Sequence, residues 1–103
     1  MNSPSSKELR QLRAQAHALR TIVTVEGKGL SASVLAELER ALNDHELIKV
    51  RVSVGDREQR DAAIVSLCDH SGAYLVQRIG NIATLLRHNP KADPRKSNLH
   101  RSQ

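Results

Sequence analysis

The spacing of apolar residues predicts seven elements, three helices and four strands. The first helix is predicted from about residue 6, because apolar residues recur there at helical spacing: Leu9, Leu12, Ala16 and Leu19. A β-branched run over residues 21–25 then predicts a strand. Ser31 is a good N-cap for a second helix, whose apolar face comprises Val34, Leu35, Leu38, Ala41 and Leu42.

The clearest strand is predicted over residues 47–54. Ile48, Val50, Val52 and Val54 alternate with Leu47, Lys49, Arg51 and Ser53. Because side chains alternate across a strand, the first set should face the core, and the second should face water and present two cations.

A third helix and a hairpin complete the chain. Asp56 is positioned to cap the helix, with Gln59 as its capping-box partner. Strands are predicted over residues 74–79 and 82–87, joined by a Gly80-Asn81 turn. The order α-β-α-β-α-β-β predicts an α/β two-layer domain with a mixed four-stranded sheet. We expect this single domain to span residues 1–88, with a flexible basic tail over 89–103.

The distribution of charge along the chain limits the classes of binding partner that fit. The 103-residue chain carries a formal net charge of +5, and residues 1–20 and 88–103 each hold four basic residues and one acidic residue. An acidic polymer is the natural partner, and nucleic acid fits better than a membrane because no strongly apolar face accompanies the charge. No apolar run suggests a signal peptide or a bilayer span, and a single cysteine favours a reducing cytoplasm.

A glycine turn follows the first predicted strand. Gly27 and Gly29 flank Lys28, so the main chain can approach a ligand without an intervening Cβ, beside the N-terminus of the second helix. The pattern is neither a P-loop nor a dinucleotide fingerprint. A phosphate contact is one interpretation. The other is that the two glycines serve only the turn.

Other cations extend this candidate site. Arg10, Arg13 and His17 repeat at helical spacing beside the apolar stripe of the first helix, and Arg20 continues it. Such a stripe is also typical of a solvated helix face. Lys49 and Arg51 supply further positive charge from the second strand.

Catalysis is not predicted. Cys68 and His70 are the one nucleophile-and-base pair in view, but residues two apart on a helix point in different directions. His45-Glu46 does not begin a zincin motif, because Lys49 stands where the second histidine is needed. No metal, cofactor or small-molecule substrate is therefore expected.

The chain resembles the CRM domain, the YhbY-like family of RNA-binding proteins, from about residue 9 to residue 87. The resemblance is carried by separated segments: Ala16-His17-Ala18-Leu19, Gly29-Leu30, Glu37-Leu38, Ala41-Leu42, His45-Glu46-Leu47-Ile48-Lys49-Val50, Asp56-Arg57-Glu58 and Val76-Gln77-Arg78-Ile79-Gly80. It implies a fold similar to the C-terminal domain of bacterial translation initiation factor three.

The resemblance also implies binding of structured RNA through a Gly-x-x-Gly loop. That loop falls on Glu26, Gly27, Lys28 and Gly29, with Glu26 in place of the first glycine. Stand-alone bacterial members are associated with the precursor of the large ribosomal subunit. The implied function is ribosome biogenesis by a cytoplasmic protein, monomeric when free, that binds ribosomal RNA. The alternative is a protein-interaction adaptor on a ribosomal particle, in which charge serves only for steering.

The RNA-binding residues expected from both arguments are Gly27, Lys28, Gly29, Arg10, Arg13, Arg20, Lys49 and Arg51. The chain has a single aromatic residue, Tyr74, so stacking on aromatic rings should not dominate recognition. We expect contacts to RNA shape and backbone, and hence a strong dependence of affinity on salt.

Overall fold

The structure, a computed structural model, describes residues 3–27 and 29–99. Its elements, in chain order, are α1 (Ser6–Ala16), β1 (Thr21–Glu26), α2 (Ala32–His45), β2 (Leu47–Ser53), α3 (Arg57–Ser71), β3 (Tyr74–Ile79) and β4 (Ile82–Leu86). This confirms the predicted α/β class and the order α-β-α-β-α-β-β.

The four strands form one mixed sheet in the order β1-β2-β4-β3. Strand β1 is parallel to β2, and β4 is antiparallel to both of its neighbours. The carboxyl ends of β1, β2 and β3 therefore lie at one edge of the sheet. We call this edge the glycine edge, because it carries the loop 27–31, the loop 54–56 and the Gly80-Asn81 hairpin.

One face of the sheet is covered by α2 and α3. Its buried residues include the predicted core-facing set of β2, and the full cluster is Val23, Val25, Leu38, Ala41, Leu42, Ile48, Val50, Val52, Val54, Ile64, Leu67, Ala83 and Leu85. The core-facing half of the pattern predicted for β2 is thus confirmed, whereas Leu47, predicted to face water, is fully buried beneath α1. Burial of aliphatic side chains is the main stabilising contribution in the fold.

Helix α1 packs on the opposite face and covers only part of it. Leu12 and Ala16 contact Leu47, Val76 and Leu86, so α1 lies over the end of the sheet away from the glycine edge. The remainder of this face we call the open sheet face. It presents side chains from the three strands β2, β3 and β4: Lys49, Arg51, Gln77, Ile79, Ile82 and Thr84.

The segment after β4 lies against the junction of α2 and β2. Glu46 caps α2 with φ of 62° and is fully buried. Its carboxylate accepts hydrogen bonds from the backbone N–H of Asn89 at 2.6 Å and from the Ser97 hydroxyl at 2.8 Å. A buried carboxylate is stable only with such partners.

Further contacts extend this attachment to the last described residue. The Asn98 side chain donates to the Leu47 carbonyl at 2.8 Å, and Leu99 packs with the cluster beneath α1. The sequence predicted a flexible tail over residues 89–103, whereas residues 89–99 are bonded to the domain. Residues 100–103 lie outside the described part of the chain, and the flexibility of the tail stays a prediction.

Candidate nucleic-acid interface

The glycine loop presents open main chain. Gly29 N–H donates to the Glu26 carbonyl at 3.1 Å, which closes a four-residue turn. Gly27 has φ of 61° and Gly29 has φ of 94°, and a Cβ added at either position would meet no atom within 4 Å. The glycines are therefore required by backbone conformation, and the space beside them is free for a ligand. Lys28, predicted at the tip of this turn, lies outside the described residues.

Helix α2 begins directly behind the loop. Ser31 is its N-cap, as predicted, and the Ser31 hydroxyl accepts a hydrogen bond from Val34 N–H at 3.2 Å. The positive end of the helix dipole therefore lies at the glycine edge. The Glu26 side chain is exposed at the start of the same loop and places one carboxylate beside it.

The neighbouring loop contributes a second glycine surface. A shallow depression of about 460 Å³ joins Gly27 and Gly29 to Gly55 and to the first turns of α3. Asp56 stands at the start of α3, but its carboxylate accepts a hydrogen bond from Gln59 N–H at 2.9 Å and so acts as a helix cap. The glycine loop thus opens onto a wider uncharged surface.

Three arginines lie at the same edge, around the β3–β4 hairpin. Arg57, Arg60 and Arg78 line a cavity of about 330 Å³ together with Gly80 and Asn81. The sequence named Arg57 and Arg78 only within the segments that carry the resemblance, and none of the three arginines was among the expected RNA-binding residues. Strand pairing brings β3 to this edge, and sequence spacing does not contain that information.

These arginines differ in how far they are neutralised. Arg78 forms an ion pair with Asp61, and its Nε donates to the Gly80 carbonyl at 3.3 Å. Arg60 Nη1 reaches the Gly55 carbonyl only at 3.5 Å, and its buried Nε has no hydrogen-bond partner among the described residues. A buried donor without a partner is costly, so an anion at this cavity would be stabilised.

The open sheet face carries the two cations that the sequence placed on β2. Arg51 is exposed and is flanked in the sheet by Thr24 and Ile82, whereas Lys49 is half-buried beside Thr84. Arg13 of α1 lines the same cavity as Lys49. The structure therefore brings Arg13 and Lys49 together and places Arg51 between them and the glycine edge.

The remaining predicted cations lie farther away. Arg10 is exposed one helical turn before Arg13 and does not line the cavity that Arg13 shares with Lys49. Arg20 precedes Thr21 at the opposite end of β1 from the glycine loop. A six-residue strand spans about 20 Å, so Arg20 and the loop cannot contact the same phosphate.

The thiol lacks the features of an activated nucleophile. Cys68 is half-buried, and burial, followed by the nearby charge of Asp69, raises the pKa of the thiol. Reactive cysteines require the opposite shift. No group of three or more His, Cys, Asp or Glu that could hold a metal ion occurs in residues 3–27 and 29–99. Within the same ranges, no helix is long and apolar enough to cross a membrane.

Comparisons with known proteins find relatives that are named as RNA-binding proteins. A Pseudomonas aeruginosa protein named as a probable RNA-binding protein is 43% identical over 97 residues, which cover 94% of this chain and 93% of that protein. An RNA-binding protein of Haemophilus influenzae is 42% identical over 99 residues, covering 93% of this chain and 100% of its own length.

The fold also matches a solved structure. The solution structure of a Staphylococcus aureus protein superposes with a TM-score of 0.75 over 88% of this chain and 95% of that chain, at 24% identity, which shows a shared fold. The family model of the CRS1 / YhbY (CRM) domain matches residues 5–87, most of the described chain. The chain therefore belongs to the CRS1 / YhbY (CRM) domain family.

Proposed function

We propose that this protein binds structured RNA through the glycine edge and the open sheet face, without catalysis. The observation that carries the proposal is the open main chain of the glycine loop at the end of the sheet towards which the cations of β2 extend. Gly27 and Gly29 leave free space at one edge, and Arg51 and Lys49 extend from that edge along the sheet towards Arg13. Backbone N–H groups and cations without carboxylate partners suit a phosphate chain.

The distribution of charge supports this orientation. Arg57 and Arg60 add positive charge at the glycine edge, beside the loop that the resemblance had indicated. By contrast, the exposed side of α2 carries Glu37 and Asp44 around Arg40. A polyanion would therefore be attracted to the edge and the open face, and less to the outer side of α2.

The finer assignment is ribosome biogenesis in the cytoplasm. Relatives that share more than 40% of their residues with this chain are named RNA-binding proteins, which supports RNA as the ligand class. The resemblance of the sequence to stand-alone bacterial CRM proteins supports ribosomal RNA of the large-subunit precursor. Crosslinking the protein to cellular RNA should map its sites to that precursor, and sites confined to other RNAs would refute this finer assignment.

A matched pair of glycine variants tests the role of the loop. Gly27 has φ of 61° and Gly72, at the C-cap of α3, has φ of 70°, and both leave open space for a Cβ. Gly27→Ala and Gly72→Ala should therefore destabilise the fold similarly, by roughly 1–2 kcal/mol for a left-handed alanine. Thermal melts of both variants measure this loss of stability in the absence of RNA.

The two variants should differ in RNA affinity. Gly27→Ala places a methyl group where a phosphate would approach, and losing one hydrogen bond to a charged group weakens binding about tenfold or more. Gly72→Ala, which lies at the other end of α3, should bind a structured fragment of large-subunit ribosomal RNA as the wild type does. Equal affinities for the two variants would remove the glycine loop from the proposed interface.

The adaptor alternative rests on exposed apolar side chains. Val65 of α3 and Leu75 of β3 are 59% and 38% exposed, which would suit contact with another protein. Treating a native ribosomal complex with RNase separates the two functions. Release of the protein supports RNA binding, whereas retention would favour the adaptor.

A further inference from the structure

A cavity lies between α1 and the open sheet face. Its volume is about 280 Å³, just below the usual range of roughly 300–1,000 Å³ for small-molecule sites. Arg13 of α1 and His17, the C-cap of that helix, line one side. The other lining side chains come from the sheet: Lys49, Gln77, Ile79, Ile82 and Thr84. The cavity exists because α1 covers only the far end of this face.

One side of the cavity is apolar. Ile79 and Ile82 are register partners in the β3–β4 pair, and Ile79 is 67% exposed, the most exposed large aliphatic side chain in the described residues. A branched aliphatic side chain in this position offers a flat, dehydrated contact to a planar ring. The free energy of covering it favours an occupant with an apolar face.

The floor of the cavity is polar and lacks internal partners. Gln77 and Thr84 are also register partners, and Thr84 is only 3% exposed. Neither the Thr84 hydroxyl nor the Gln77 amide hydrogen-bonds to another side chain or carbonyl of the described residues. Both groups are therefore available to hydrogen-bond with an occupant that has its own donors and acceptors.

The rim is cationic. Arg13 and Lys49 line the cavity and form no ion pair within the described ranges, and no carboxylate lines it. The occupant should therefore combine a planar ring, a hydrogen-bonding edge and a negative charge. A nucleotide combines these three properties, and the cavity has room for one base.

We propose that this cavity holds a single unstacked base of bound RNA. The base lies against Ile79 and Ile82, its edge meets Gln77 and Thr84, and its phosphate lies near Arg13 and Lys49. This proposal rests on the proposed RNA-binding function and adds a requirement for an unpaired nucleotide. Aliphatic and cationic side chains here take the place of the aromatic platform that this chain lacks.

Two RNA hairpins of equal length test the proposal, one fully paired and one with a single bulged nucleotide. The wild type should bind the bulged hairpin about tenfold more tightly, within the usual contribution of one sequestered base. 2-Aminopurine at the bulge should change its fluorescence on binding. If the wild type binds the two hairpins equally, the base site is refuted and RNA binding stands. If neither is bound, both proposals fail.

Three variants test whether the preference for the bulged hairpin arises at this cavity. Ile79→Ala removes the apolar wall and Thr84→Val removes the hydroxyl, and each should abolish most of the preference for the bulged hairpin while keeping the affinity for the paired one. Val65→Ala, at a residue 59% exposed on α3, is the control and should retain the full preference. A preference that persists in Ile79→Ala and Thr84→Val alike would overturn the assignment of the cavity.

A competition experiment distinguishes binding of a base within RNA from binding of a free nucleotide. Adenosine monophosphate should compete poorly with the bulged hairpin, because it lacks the neighbouring phosphates that contact the glycine edge. Competition by the mononucleotide at concentrations similar to those of the hairpin would assign the cavity to a free ligand and overturn the proposal.

Discussion

Replacing Arg51 by Gln should weaken RNA binding chiefly through the salt dependence. Arg51 is exposed on the open sheet face, beside Thr24 and Ile82, and forms no ion pair with a described residue. Its loss should therefore change the free energy of unfolding by no more than about 0.5 kcal/mol. The RNA affinity should fall because one cation no longer replaces a counterion on the phosphate chain.

The size of the effect follows from the cations on the interface. Among residues 3–27 and 29–99, the cationic side chains at the glycine edge and the open sheet face that have no carboxylate partner are Arg13, Lys49, Arg51, Arg57 and Arg60. If each neutralises one phosphate, the slope of log affinity against log salt is about −3.5 to −4.5. Between 50 and 200 mM salt the wild type should then lose affinity about 100–500-fold, and the Arg51→Gln variant about 50–150-fold.

Arg40→Gln is the matched control. Arg40 is exposed on the outer side of α2, among Glu37 and Asp44, on the other side of the sheet. Its replacement should leave the slope unchanged. Fluorescence anisotropy of a labelled RNA at four or more salt concentrations measures both slopes. The reasoning fails if Arg51→Gln keeps the wild-type slope, or if Arg40→Gln lowers it by an equal amount.

Three stability predictions follow from contacts within the protein itself and need no RNA. Gly55→Ala should cost more than Gly72→Ala in chemical denaturation, since its Cβ would lie 1.5 Å from Gln59 Oε1, which caps α3. In a Gln59→Ala background most of this excess should be lost, because only the tight contact with the Gln59 Cβ at 3.1 Å remains. Arg87→Gln should lower the melting temperature by a few degrees at pH 7 and less at pH 3, because Arg87 hydrogen bonds lower the pKa of the Glu39 carboxyl. Ser97→Ala should destabilise the fold by about 1–2 kcal/mol in urea, through loss of a hydrogen bond to a buried carboxylate.

The outcomes that would contradict these predictions are also defined. The pH effect has a defined sign: a lowered carboxyl pKa stabilises the fold above the unfolded value near 4.5, and this contribution is lost as the pH falls through the folded value. An Arg87 variant equally destabilised at both pH values would contradict the role of Glu39. An unchanged urea midpoint for Ser97→Ala would indicate that the hydrogen bond from Ser97 to Glu46 adds nothing to stability.

Local features of the fold were predictable because they depend on residues close in sequence. The alternation in β2 placed Ile48 and Val50 in the core. Asp56 and Gln59 form the predicted capping box, with bonds of 2.8 and 2.9 Å. Turn chemistry likewise located the hairpin between β3 and β4. In each case the signal lies within about four residues.

Features that depend on strand pairing and on tertiary contacts were not predictable in this way. The position of β4 between β2 and β3 brings Arg78 to the glycine edge, and the irregularity between Leu75 and Gln77 turns Gln77 towards the open sheet face. Burial of the Glu46 carboxylate beneath residues 89–99 also had no sequence signal, because a glutamate is usually exposed.

In the candidate site, too, the local features were predictable from the sequence and the tertiary ones were not. The glycine loop was predicted from two glycines in a strand-to-helix turn, and both have the positive φ that was expected. The sequence assigned the net positive charge to the two ends of the chain. The fold instead gathers Arg57, Arg60 and Arg78 from the middle of the chain at the glycine edge and places Arg51 on the open sheet face. Arg20, by contrast, lies at the other end of β1.

Backbone amide NMR during titration with a structured ribosomal RNA fragment tests the central claim most directly. The account predicts that the largest shift changes fall on Gly27, Gly29, Lys49, Arg51 and Thr84, with little change along the outer side of α2. Changes concentrated on α2, with the glycine loop and the open sheet face unaffected, would contradict it.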